Sequence, residues 1–171
     1  MKSFFSEEQN HVDGQEIVFS FNLRPHGWSE FRFWVDGHEL RFRTTHLFNN
    51  PLADLLQSLT TLLAGSKNID FFWFDEPGTV KVEMATLPDQ PDLVHVHLTE
   101  HDSTGTWNDS DKTLAEHSFG VQLQHLGACL YGEMVKLNEL MKLESFAQNR
   151  RSAYPTAEMN TFMQAYRRRF P

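Results

Sequence analysis

Ile69-Asp70-Phe71-Phe72-Trp73-Phe74-Asp75-Glu76-Pro77-Gly78-Thr79-Val80-Lys81-Val82-Glu83-Met84-Ala85 reads as two strands joined by a Pro-Gly turn. The first strand is aromatic at four consecutive positions, Phe71 to Phe74. A central strand covered on both faces accounts for that, as does a strand whose outer face is partly covered by the chain ends. The second strand alternates, with Val80, Val82 and Met84 inward and Lys81 and Glu83 outward, because successive strand side chains point to opposite faces. The hairpin is an architectural signal, and the other segments can be placed around it.

Upstream, Ile17, Phe19, Phe21 and Leu23 alternate within Glu16–Arg24, and Pro25-His26-Gly27 ends that strand. Trp28 to Thr45 is a hairpin about Asp36-Gly37, a dipeptide suited to a two-residue turn that needs positive φ twice. A two-residue turn fixes the pairs. Val35 meets His38, Phe33 meets Leu40 and Phe31 meets Phe42 on one face; Trp34 meets Glu39, Arg32 meets Arg41 and Glu30 meets Arg43 on the other. Two arginines side by side are unfavourable unless an acid or ligand lies near. Asn50-Pro51 then supplies an N-cap and a first helical residue. Leu52, Leu55, Leu56, Leu59, Leu62 and Leu63 form a helical stripe that Gly65 stops.

Downstream, Pro88 to Pro91 make a turn. Leu93 to Leu98 is a strand with Val94, Val96 and Leu98 inward and His95 and His97 outward. A short strand is expected over Lys112–Phe119. From Val121 the period changes: Leu123, Leu126, Leu130, Met134, Leu137 and Met141 predict a long helix to about Ser145. Close packing would explain Gly127 and Gly132 within it, since each glycine costs about 1 kcal/mol relative to alanine. A last helix is expected from near Pro155 to Phe170, its Arg167, Arg168 and Arg169 complementing the helix dipole. The sum is one α+β domain over residues 1–171: a mainly antiparallel, twisted sheet of five to seven strands with three helices against it. Residues 1–14 form a loosely ordered start, and 150–171 a basic C-terminal helix.

Composition narrows the function. The 171 residues carry a net charge of -8. Residues 150–171 hold five arginines against Glu158, a net of +4, which leaves -12 on the remainder. An acidic body lacks the lysines and arginines that neutralise phosphate, so nucleic acid is not the expected partner; it suits a basic partner steered by charge. Cys129 is the only cysteine, so no internal disulfide can form. Met1 to Asn10 holds Phe4 and Phe5 but then Glu7 and Glu8, with no apolar run suited to a signal peptide. No stretch reaches the roughly 18 apolar residues of a membrane span. The expectation is a cytoplasmic protein that does not engage membranes.

His95 and His97 share a strand face, and His101 with Asp102 could reach them from the following loop, which makes these the metal candidates. No metalloenzyme motif or Gly-x-Ser-x-Gly elbow is present. Cys129 lies in an apolar helical pattern, where thiols are usually inert. Asp75 with Glu76, and Asp109 with Asp111, are paired carboxylates, but loops collect acids routinely. Phosphate-binding glycine loops are absent, and no cofactor is expected. The segment Thr99–Asp111 holds Glu100, Asp102, Asp109 and Asp111 with no Lys or Arg, and adds Trp107. Acids around an aromatic anchor suit a protein interface. These five are the partner-binding candidates.

Phe72-Trp73-Phe74-Asp75-Glu76-Pro77-Gly78-Thr79-Val80, preceded by the Leu-rich helix from Pro51 to Gly65, resembles small bacterial proteins similar to immunity proteins, encoded beside polymorphic or contact-dependent toxins. The shared plan spans roughly Gln15 to Phe170. The resemblance implies an inhibitor of a cognate toxin with no catalysis of its own, and carries over no functional residue. The expectation is therefore an immunity protein, not an enzyme, present as a monomer or weak homodimer, that covers a basic nuclease toxin with acidic surface. The alternatives are a small metal-dependent hydrolase using His95, His97 and His101, and a non-catalytic oligomerisation module.

Overall fold

The computed structural model describes residues 14–75, 78–102, 112–150 and 154–171. The expected loose start at 1–13 lies outside them. Among the described residues, seven strands form two antiparallel sheets. β1 (Ile17–Leu23), β2 (Trp28–Val35) and β3 (His38–Thr45) make one, in that order; β4 (Asn68–Asp75), β5 (Gly78–Leu87), β6 (Gln90–His101) and β7 (Thr113–Gln122) make the other. The described helices are α1 (Pro51–Leu63), α2 (Leu123–Leu140), the single turn α3 (Glu144–Ala147) and α4 (Thr156–Arg169). The fold is α+β. The expected antiparallel α+β fold with five to seven strands is present; the strands divide into two sheets after β3, where α1 intervenes, and a short α3 follows α2. No helix among the described residues is long and apolar enough to cross a membrane.

The β2–β3 register is the one the turn dictates, from Val35 opposite His38 to Glu30 opposite Arg43. Asp36 (φ 48°) and Gly37 (φ 82°) supply the two positive φ angles. Ile17, Phe19, Phe21 and Leu23 are all buried, as their alternation demands. α1 forms as read: the Asn50 side chain accepts from the Ala53 N–H at 3.1 Å, and all six leucines of the stripe are buried. α1, α2, α4 and the inner faces of both sheets contribute to one hydrophobic cluster.

Four readings are corrected. β4 is the terminal strand of its sheet, not a central one. Phe71 and Trp73 are buried, while Phe72 and Phe74 are half-buried on the opposite face, where Phe48 from the β3–α1 loop packs on Phe74. β6 runs three residues past Leu98, so Thr99, Glu100 and His101 belong to the sheet. The strand before α2 continues to Gln122, because Val121 pairs with Val94 and Gln122 with Leu93. α2 then ends at Leu140 rather than Ser145. Leu143 is extended, and the chain re-enters helix at α3, which buries Ala147 completely.

The open edge of β1 is covered by side chains. Glu133 on α2 accepts from the Phe21 N–H at 2.8 Å, Lys136 donates to the Phe21 carbonyl at 3.3 Å, and Arg150 Nε donates to the Leu23 carbonyl at 2.8 Å. An uncovered edge is a template for unwanted pairing. Gly127 behaves as expected: a Cβ there would meet the Tyr166 ring at 2.7 Å. Gly132 does not, since a Cβ would meet nothing within 4 Å.

Candidate functional site

The two sheets leave a mouth where β4 ends, β5 begins and β6 ends. It encloses a cavity of about 360 Å³ lined by Phe42 and Val80 with Arg41, Arg43, Asp75, Glu100, His101 and Leu114. Gly78 makes this corner possible. Its φ is 136°, and a Cβ would stand 3.1 Å from the His101 carbonyl oxygen, so the β5 backbone passes close to β6. A register shift between Glu100 and His101 in the β6–β7 pairing re-aims the strand end, as bulges beside sites commonly do.

Glu100 is consequently a strand residue on the side of Leu98 and Val80, not part of a solvated loop. Its Oε1 lies 3.2 Å from His117 Nε2, and the His117 ring meets Phe42 edge-on at 6.3 Å. His101 is buried at the end of β6, 5% exposed. His95 and His97 do face outward. His97 Nδ1 lies 2.6 Å from the Ser118 hydroxyl, and burial pushes the His95 pKa down. Among the described residues no group of three histidine, cysteine or acidic side chains could hold a metal ion. His95, His97 and His101 are all described and form no such group; His101 is the last residue of β6 and is buried.

Asp102 closes the segment after β6. Its N–H donates to the Lys112 carbonyl at 3.2 Å, and its Oδ1 accepts from the Lys112 N–H at 3.2 Å. Both ends of segment 103–111 therefore sit together at the rim of the mouth. Trp107, Asp109 and Asp111 lie outside the described residues, as does Glu76, the expected neighbour of Asp75. Cys129 is half-buried, and burial, reinforced by the nearby Glu133 charge against a backbone hydrogen bond, raises its pKa. It is a poor nucleophile, as its helical context implied.

Behind the mouth, the paired arginines find their acid. Glu30, 2% exposed, accepts from Arg32 Nε at 2.7 Å and Arg41 Nε at 2.9 Å, with Arg24 at 3.5 Å. Register placed Arg43 opposite Glu30, but the ion pairs run to Arg32 and Arg41. Arg41, Arg43, Asp75 and His117 were not singled out as a group from sequence. The β2–β3 register gave Arg41 and Arg43 a common face; nothing local brings that face to the end of the second sheet. Comparison with protein-family models, with curated proteins and with solved structures finds no match to this chain.

Proposed function

We propose that this chain is a non-catalytic immunity protein that acts in the cytoplasm and neutralises a cognate toxin domain, a basic nuclease, by laying acidic surface over it. One observation supports the reading: the reciprocal Asp102–Lys112 pairing holds the two ends of the acidic segment together just past Glu100 and His101 at the end of β6. Fixing a loop's ends lowers the entropy lost on binding. Clustered acid steers a basic partner and sets the association rate.

The proposal predicts that a secreted toxin polypeptide is encoded directly upstream, and the test uses a catalytically inactive form of its C-terminal domain. Co-expression with the active domain should restore growth. Asp109→Asn with Asp111→Asn should leave the fold intact and slow association about tenfold at low salt, with a weaker salt dependence. Absence of protection and of binding at micromolar concentration would refute the proposal. Protection with an unchanged association rate would move the contact off this loop.

A further inference from the structure

Leu47 and Phe48, in the loop between β3 and α1, are 67% and 58% exposed. The loop is tied at nearly every step. The His46 N–H donates to the Gly27 carbonyl at 3.2 Å, and the Leu47 N–H to Thr45 Oγ1 at 3.3 Å. Asn49 Nδ2 donates both to Asp54 at 2.6 Å and to the Phe72 carbonyl on β4 at 2.7 Å. Asn50 caps α1. So anchored, Phe48 packs on Phe74 at 5.2 Å between centroids, and Phe74 lies 6.3 Å from Phe72. Phe48, Phe74 and Phe72 make a continuous apolar ridge from the loop onto the outer face of β4, and Leu47 precedes Phe48 in the chain. Single exposed hydrophobics are ordinary, but a contiguous set held rigid toward water marks a contact surface.

The surroundings of the ridge are acidic. Asp70 shares its strand face, Glu83 stands opposite Asp70, and Asp54 is tied to Asn49. Lys81, opposite Phe72, is held by Glu83 at 2.8 Å. A second copy of a chain with net charge -8 would bring like charge against this ring of acids; a basic protein brings the opposite charge.

We infer that Leu47, Phe48, Phe72 and Phe74 form the anchor surface for the basic partner, receiving an apolar patch rimmed by lysines and arginines. The inference rests on the function proposed above and divides the labour. The acidic loop governs arrival, and the ridge governs residence. Aromatic anchors already held in place dominate interface energy, and their loss appears mainly in the dissociation rate.

The test again uses the inactive upstream-encoded toxin domain, with binding followed by surface plasmon resonance. Leu47→Ser with Phe48→Ser removes only exposed side chains, and an unchanged melting temperature would verify that folding is intact. Dissociation should accelerate about 100-fold with association within about threefold of wild type, as expected for loss of a hot spot. Phe48→Trp should retain slow dissociation. Tight binding by wild type with dissociation of the double variant changed less than about threefold would overturn the ridge and leave the immunity reading standing. No binding by wild type would overturn both. A dimer of the free chain that Phe48→Ser dissolves would also overturn the inference, by assigning the ridge to a second copy.

Discussion

Phe31 on β2 stacks on Trp73 on β4, with ring centroids 4.1 Å apart and planes 15° from parallel. This pair joins the two sheets. Trp73 is fully buried, meets Phe42, Phe33 and Phe71 as well, and donates its indole N–H to the Pro51 carbonyl at 3.2 Å. It thereby ties the start of α1 to both sheets.

Trp73→Ala should cost about 3–5 kcal/mol, the usual range for emptying a large aromatic site. Trp73→Phe should cost less, losing the indole hydrogen bond and part of the packing. Urea unfolding would measure both. A loss below about 1 kcal/mol for the alanine variant would show that the sheets hold together without the stack.

Glu30 gives the protein an acid-sensitive link. Burial alone would raise its pKa, but hydrogen bonds from Arg41 and Arg32, with their charges, outweigh burial and hold it below the ordinary carboxylate value of 4.5. A carboxyl depressed in the folded state stabilises the fold above its unfolded pKa and loses that contribution as pH falls through the folded value. Glu30→Gln should destabilise the protein by about 1–3 kcal/mol at pH 7, because Arg41 and Arg24 are half-exposed and can be rehydrated. The difference from wild type should shrink below about pH 4.5. Thermal melts from pH 7 to pH 3 provide the check; a constant difference would refute the assignment.

Removing Glu133 should expose the edge of β1. Glu133→Ala leaves the Phe21 N–H without its acceptor at 2.8 Å, a loss of about 1–3 kcal/mol if water does not replace it. Hydrogen exchange read at the Phe21 amide should accelerate more than exchange at Phe31 on β2. Equal acceleration at both would point to global destabilisation instead of edge opening.

The two α2 glycines should respond with opposite signs. Gly132→Ala meets open space and should stabilise the helix by about 0.5–1 kcal/mol. Gly127→Ala drives a methyl against the Tyr166 ring and should destabilise the α2–α4 contact, overpacking costing about 1–3 kcal/mol. Melting temperatures of the two variants, compared side by side, decide the matter.

Much of the fold was legible because it is written in local patterns. Asp36-Gly37 set the β2–β3 register to the residue, Asn50-Pro51 and Gly65 bounded α1, and alternation assigned the buried face of β1 and β5. Period and turn chemistry act over neighbouring residues, so sequence alone determines them. What it does not contain is which edges join. The division into two sheets, the terminal position of β4, the extension of β6 through His101, and the convergence of Arg41, Arg43, Asp75, Glu100 and His117 on one mouth all arise from contacts between distant segments. Phe72 and Phe74 illustrate the limit: the aromatic run fits a central strand or one with a partly covered outer face, and the tertiary structure sets it at the end of a sheet, with Phe48 of the β3–α1 loop rather than a chain end against its outer face. The sequence specified an acidic α+β protein with its strands and helix caps in place. Only long-range pairing, which no local period encodes, decided where its charged mouth and aromatic ridge would lie.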